Sequence, residues 1–131
     1  MSNLNVTTIS DLAGTGPVTL TKQSAAKAWV NFNGTGTVAI RDSMNVASVT
    51  DNGSGDYTIA VADTFDSADY STVIGGSPVY GVATSFSMQI ANSNSGAEVA
   101  PTPTAIRITY GSTTSFHDVK YATCTIHGDL A

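Results

Sequence analysis

The stretch from Lys27 to Val61 alternates apolar and polar residues with a period of two, and glycines interrupt the alternation. Successive side chains of a β-strand point to opposite faces, so this period predicts strands with one buried and one exposed face. Ala28, Val30 and Phe32 are predicted to face a core, and Trp29 the opposite side. No part of the chain shows a useful 3.6-residue period, so the sequence predicts an all-β protein.

Two glycine-rich segments inside this stretch predict tight turns. Asn33–Gly36 reads NGTG and Asp51–Asp56 reads DNGSGD, and both supply residues that tolerate positive φ angles. After the second turn, Tyr57, Ile59 and Val61 are predicted to face the core. The stretch is therefore predicted to form a β-meander.

Other alternating segments predict the remaining strands. In chain order they are Val6–Ser10, Pro17–Lys22, Met44–Thr50, Tyr70–Ile74, Phe86–Ile90, Ile106–Tyr110 and Phe116–His127. Roughly eight to ten short strands with turns between them predict an antiparallel β-sandwich or jelly-roll-like domain. Residues 1–24 lack aromatic side chains, so we expect an extended N-terminal arm or attachment segment there. A single β-sandwich domain is then expected over residues 25–131.

The distribution of charge disfavours nucleic acid as a partner. The formal net charge is −5, and no Lys or Arg occurs between Arg41 and Arg107. Seven acidic residues lie in that span: Asp42, Asp51, Asp56, Asp63, Asp66, Asp69 and Glu98. Such a surface repels a polyanion, and it also serves the solubility of a chain with few other charges.

Nothing in the sequence predicts insertion into a membrane or export by the general secretory route. No run of about 18 apolar residues occurs. Residues 1–14 have neither the basic nor the apolar region of a signal peptide. The protein is therefore expected to be made in a cytoplasm.

The residues with catalytic chemistry do not form a recognisable motif. His117 and Asp118 are adjacent, with Ser115 nearby, but neighbouring residues of a strand point to opposite faces. No nucleophile-elbow motif accompanies them. We therefore predict a protein that is not an enzyme, and a small hydrolase built around His117 and Asp118 is the weakest alternative.

No metal or cofactor site is predicted. Cys124 is the single cysteine, so an internal disulfide is excluded and a buried apolar role is expected. Asp63, Asp66 and Asp69 recur every three residues, which does not match the spacing of a calcium-binding EF-hand loop. Turn formation is the expected role of these aspartates, and whether they bind an ion stays open at this point.

Three residues are candidates for a subunit interface: Trp29, Val119 and Tyr121. Trp29 lies on the polar side of its predicted strand, and interfaces favour aromatic residues. The last predicted strand is apolar on both faces, with Val119 and Tyr121 on one side and Cys124 on the other. A strand of that kind needs cover from its own sandwich or from a neighbouring subunit. Alternatively, Trp29 is covered by the stem of Lys27 or by the N-terminal arm.

The segment from residue 9 to residue 76 resembles a module of tail-fibre and related virion proteins of tailed bacteriophages. The resemblance is carried by KAWVNFNGTGT, IRDSMNV, VTDNGSGDYT and ADYSTV in that order, preceded by the linker-like ISDLAGTGPVTLTKQSA. It implies a non-enzymatic virion component, assembled in the host bacterial cytoplasm and exposed on the particle as a homotrimer. It also implies contact with other virion proteins and with glycans or proteins of the host surface. It supplies no catalytic or ligand-binding residues.

Two other functions stay open at this point. A free-standing copy of the module could decorate and stabilise the phage head as a capsid cement protein. A carbohydrate-binding module would instead use exposed aromatic residues such as Trp29, Tyr80 or Tyr110 to stack on sugars.

Overall fold

The computed structural model describes residues 25–77, 87–111 and 115–131. These residues form eight β-strands: β1 (Ala28–Asn33), β2 (Ala39–Met44), β3 (Val46–Gly53), β4 (Asp56–Val61), β5 (Ser71–Gly76), β6 (Ser87–Ile90), β7 (Ala105–Gly111) and β8 (Ala122–His127). The predicted strands Val6–Ser10 and Pro17–Lys22 lie outside the described residues. Within the described parts of the chain, no helix is long and apolar enough to span a bilayer.

The strands form two antiparallel sheets of four strands. Sheet A has the order β2-β1-β8-β5, and sheet B has the order β3-β4-β7-β6. Each pair of neighbouring strands is antiparallel. The two sheets pack face to face, which confirms the predicted all-β sandwich.

The core lies between the inner faces of the two sheets. Its members are the side chains that the two-residue period predicted, on both β1 and β4. The buried apolar residues are Ala28, Val30, Phe32, Tyr57, Ile59, Val61, Phe65, Ile106, Ile108, Tyr110, Val119, Ala122, Cys124 and Ile126. Phe32 of sheet A meets Tyr57 of sheet B edge to face at 5.0 Å between ring centroids. Such aromatic contacts add to the free energy gained from burial alone.

The prediction of a strand from Met44 to Thr50 is wrong at its start. Met44 ends β2 in sheet A, and Val46 begins β3 in sheet B. Asn45 lies between them with φ of 53°, and its side-chain amide donates to the backbone oxygens of Lys27 and Asp63. The chain therefore crosses between sheets at a left-handed asparagine, a conformation that asparagine tolerates better than most residues.

The last strand is shorter than predicted. It begins at Ala122 rather than Phe116, and Ala122, Cys124 and Ile126 point into the core. Its outer face carries polar residues such as Thr123 and Thr125. The strand is therefore not apolar on both faces, because the two apolar residues that suggested this, Val119 and Tyr121, precede it in the chain.

One glycine of the β3–β4 turn is required by a close backbone approach. Gly55 has φ of 62°, its N–H donates to Asp118 Oδ1 at 2.8 Å, and its carbonyl accepts from the N–H of Tyr110 at 2.8 Å. A Cβ atom at this position would overlap backbone atoms of Tyr110 and His117. Gly36 has a similar φ of 64° but faces open space.

This contrast gives a matched pair of substitutions. Gly36→Ala should lower the free energy of unfolding by about 1 kcal/mol, the cost of a left-handed conformation in a residue with a Cβ. Gly55→Ala should lower it by at least about 3 kcal/mol, because backbone overlap adds to that cost. Urea denaturation of the two variants measures the difference, and equal losses would contradict the described turn.

Candidate interaction surface

An apolar row crosses the outer face of sheet A. Trp29 of β1 lies opposite Met44 of β2, and on its other side opposite Thr125 of β8. Thr125 in turn lies opposite Val73 of β5. Directly opposed residues share a face, so these four side chains form one continuous line over all four strands.

The two ends of this row are exposed in the single chain, and its two central residues are partly exposed. Val73 is 62% exposed and Met44 is 41% exposed, while Trp29 is partly buried. The neighbouring row on the same face is polar or small and consists of Asp42, Asn31, Thr123 and Gly75. We call the line of Met44, Trp29, Thr125 and Val73 the apolar row.

Tyr121 adds a second exposed aromatic group beside this face. Its side chain is 52% exposed, and the guanidinium carbon of Arg41 lies 4.6 Å from its ring centroid. That guanidinium donates to the backbone oxygens of Phe32 and Lys120. The Tyr121 ring is thus held by an anchored cation rather than by burial, which keeps it presented to solvent.

The structure separates the three candidate interface residues. The side chains of Trp29 and Tyr121 are both accessible to a partner, since Trp29 is partly exposed and Tyr121 is exposed. Val119 does not, because its side chain is 1% exposed and packs in the core of its own chain. Its backbone oxygen accepts a hydrogen bond from the N–H of Gly34. The interface prediction therefore continues to rest on Trp29 and Tyr121.

Of the groups considered for catalysis, Asp118 fixes a turn, whereas the buried Nε2 of His117 has no hydrogen-bond partner. Asp118 Oδ1 accepts from the N–H of Gly55, and the Tyr57 hydroxyl lies 3.0 Å from the same oxygen. The hydroxyl is also 2.8 Å from the carbonyl oxygen of Gly34. Burial raises the pKa of Tyr57, and the charge of Asp118 raises it further. The backbone N–H of His117 donates to Tyr110, which fixes the loop that carries Asp118.

The described residues do not bring together a metal-binding cluster. Within the ranges 25–77, 87–111 and 115–131, no group of three His, Cys, Asp or Glu side chains is placed to hold an ion. Asp66 and Asp69 line a pocket of about 160 Å³ that also contains Phe65, Tyr70 and Asp129. The hydroxyl of Tyr70 is used in hydrogen bonding to backbone oxygens of Thr102 and Ala105. Of the three spaced aspartates, Asp66 and Asp69 share this pocket, and Asp63 is not among its lining residues.

Two further candidates from the sequence are buried. Cys124 faces the core, and burial raises the pKa of its thiol to about 12. Tyr110 is fully buried, and its hydroxyl donates to the backbone oxygen of Gly75, so its ring is not available to stack on a sugar. Tyr80 lies outside the described residues. Of the three aromatic residues suggested for carbohydrate binding, only Trp29 is placed at the surface by the structure.

A buried ion pair on the outer face of sheet B was not predicted from the sequence. The Asp56 carboxylate is fully buried, and Arg107 donates to both its oxygens at 2.7 Å. The N–H of Asn94 and the side chain of Asn52 also donate to it. The contact from Asn94 fixes the loop between β6 and β7 over this face.

The Asp56–Arg107 pair can be predicted only when the register between β4 and β7 is known. Asp56 and Arg107 both face away from the core, because they alternate with buried residues of β4 and β7. In the register of these strands, Asp56 lies opposite Thr109, two residues from Arg107 and on the same face. That diagonal neighbourhood lets the guanidinium reach the carboxylate.

The comparisons with known proteins provide no relative for this chain: no family model, no curated protein and no solved structure matches it. The resemblance of residues 9–76 to phage virion proteins stays a prediction.

The ion pair predicts an acid-dependent loss of stability. Burial alone would raise the pKa of Asp56, but the hydrogen bonds and charge of Arg107, with those of Asn94 and Asn52, outweigh it, so the pKa lies below its usual value of 3.8. A carboxyl with a lowered folded-state pKa stabilises the fold above its unfolded pKa, and this contribution is lost as the pH falls through the folded value.

Asp56→Asn should therefore lower the free energy of unfolding at pH 7 by about 2 kcal/mol, because it leaves Arg107 without its counter-charge. Arg107 is 23% exposed, so water partly compensates the loss. The difference from the parent chain should shrink when urea denaturation is repeated at a pH below 3.8, the usual pKa of the carboxyl. Asp69→Asn, on an exposed loop, is the matched control and should change stability little at either pH; a constant difference for Asp56→Asn would refute the role of its charge.

Proposed function

We propose that this protein is a non-enzymatic structural module of a tailed-phage virion, of the tail-fibre or receptor-binding type, and that it acts as a homotrimer exposed on the particle. The observation that carries the self-association is the apolar row on sheet A. The phage assignment is supported by the order of motifs in residues 9–76. A second copy of the chain is the partner that we assign to the outer face of sheet A.

Charge supports a copy of the same chain as the partner. The chain has five Lys and Arg residues and a net charge of −5. Two of the five cations, Arg41 and Lys120, flank Tyr121 beside the outer face of sheet A, and Lys27 directly precedes β1. An acidic chain with one more basic face is complementary to its own copies, and such complementarity guides association and register.

Two carboxylates that are chemically suited to catalysis stabilise the fold instead. Asp118 binds a turn amide and Asp56 neutralises Arg107. Both carboxylates are bound by groups of their own chain, which suits a part that packs in one geometry with its neighbours. This use of the polar residues supports a structural role over turnover.

Replacing the central residue of the apolar row should weaken self-association. Trp29→Lys removes an aromatic anchor and adds a charge at the contact, so we expect the dissociation constant of the oligomer to rise at least about 30-fold. Thr50→Lys, on the exposed outer face of sheet B, is the matched control and should leave it unchanged. Light scattering across micromolar concentrations gives both values. A parent chain that is monomeric throughout would overturn the proposed assembly.

The position of the protein on the particle tests the rest of the proposal. Cryo-electron microscopy of whole virions, or gold labelling with antibody against this chain, should place it on the tail. Copies arrayed on the head lattice would instead establish the capsid decoration role. Its absence from purified, infectious particles would overturn both assignments.

A further inference from the structure

We propose that Asn52 is a site of spontaneous deamidation, at which the side-chain amide becomes a carboxylate, and that the fold protects Asn33 from the same reaction. The two asparagines are followed by glycine, Gly53 and Gly34 respectively, and they form the two Asn–Gly sequences of the chain. The inference is independent of the proposed function, because it depends only on the chemistry and packing of two turns.

The reaction begins at the backbone nitrogen that follows the asparagine. The deprotonated nitrogen attacks Cγ of the side chain, a C–N bond forms and ammonia leaves, which closes a five-membered succinimide ring. Water then opens the ring at either of its carbonyls and gives aspartate or isoaspartate. In sum, amide and water become carboxylate and ammonium. A following glycine favours ring closure, because it has no Cβ to obstruct the attack and its backbone adopts the widest range of conformations.

The nitrogen that would attack Asn33 is fixed by the fold. The N–H of Gly34 donates to the carbonyl oxygen of Val119 at 2.9 Å, and Gly34 is buried. A Cβ atom at Gly34 would overlap the hydroxyl of Tyr57, so the backbone is closely packed at this point. Ring closure would require the nitrogen to leave its partner away from bulk water, and a buried polar group without a partner is costly.

The side chain of Asn33 is also fixed. Its amide nitrogen donates to the backbone oxygen of Thr35 at 2.6 Å, and its Oδ1 accepts from the Thr35 hydroxyl at 2.9 Å. Asn33 further lies opposite Ala39 in the pairing of β1 with β2. Attack on Cγ of Asn33 therefore requires several of these contacts to break together, which makes it slow in the folded chain.

Asn52 lies where the pairing of strands is interrupted. The register of β3 against β4 shifts between Asp51 and Gly53, so Asn52 is the extra residue of a β-bulge. Asn52 and Gly53 are both exposed. The N–H of Gly53 donates to the Asp51 carboxylate at 2.9 Å, an exposed contact that water can replace. The attacking nitrogen is therefore open to water at Asn52, whereas it is buried at Asn33.

Deamidation at Asn52 would place a negative charge beside the buried ion pair. The amide nitrogen of Asn52 donates to Thr58 Oγ1 at 2.8 Å and to Asp56 Oδ1 at 3.3 Å. A carboxylate in its place cannot donate, and it repels the charge of Asp56. The same Asp56 carboxylate accepts from the N–H of Asn94, so the modification should loosen the loop between β6 and β7 as well as the β3–β4 turn.

Tandem mass spectrometry of the incubated full-length chain tests the site. Trypsin cleaves after Arg41 and so separates the two asparagines, and fragmentation locates the modified residue. Asn52 should gain about 1 Da, the difference between a carboxyl and an amide. In mildly alkaline buffer this gain should be at least about tenfold faster than at Asn33, which reacts only after local opening. In denaturing urea the two sites should react at similar rates.

Two variants give matched controls for the assignment. Asn52→Gln keeps an amide but can close only a six-membered ring, which forms far more slowly, so the mass gain at residue 52 should be abolished. Asn33→Gln should leave the gain at Asn52 unchanged. Asn52→Asp imitates one product, and the amide of Asn94 should exchange with deuterium at least about threefold faster in this variant than in the parent chain.

Each contrary result identifies what has failed. Equal rates at the two sites in the folded chain would refute the protection of Asn33. Reaction at Asn52 in urea but not in the folded chain would refute Asn52 as a site in the native protein. A mass gain that persists in Asn52→Gln would overturn the assignment to this residue. An unchanged exchange rate of the Asn94 amide in Asn52→Asp would overturn the effect on the ion pair and its loop.

Discussion

The fold depends on Tyr57, which joins the two sheets through both its ring and its hydroxyl. The ring packs between Phe32 of sheet A and Tyr110 of sheet B, at centroid distances of 5.0 Å and 6.0 Å. The hydroxyl reaches the Gly34 carbonyl of one turn and the Asp118 carboxylate of another loop. A buried tyrosine is stabilising only when its hydroxyl has a partner. The turn that follows β1 and the loop that precedes β8 are therefore fixed by the same side chain that fills the core.

The two-residue period was sufficient to predict the class of fold and the buried faces of β1 and β4, because side-chain alternation is a local property of a strand. It was insufficient wherever the answer depends on which strands are neighbours. Asp56 reads as one more surface carboxylate until Arg107 is brought to it from 51 residues away. Ile40 lies opposite the buried Phe32, yet it is 39% exposed, because β2 is an edge strand whose register against β1 shifts at this point. Asn45 ends a strand in a position where the pattern alone predicts continuation.

The candidate interaction surface was likewise predictable from the sequence only in part. The sequence identified Trp29 as an aromatic residue on the polar face of its strand, and the structure gives Trp29 its neighbours. Met44 and Val73 were not recognised as part of that surface, since they join it only through the strand order of sheet A. Val119 was chosen because the last strand was read as longer than it is. The face of a strand on which a residue lies can thus be predicted from the sequence. A surface patch that spans several strands can be predicted only when the register between those strands is known.

The two edge strands of sheet A, β2 and β5, differ in charge, and this difference constrains how copies of the chain meet. At β2, Arg41 makes hydrogen bonds to β1 and supports Tyr121, so this edge is structurally occupied and charged. At β5, the strand carries no charged residue, and among the described strands only β8 pairs with it. A net charge of −5 on 131 residues opposes aggregation only weakly at short range, where salt screens it. The apolar row therefore crosses sheet A from an edge strand without charged residues to one that carries Arg41 and Asp42.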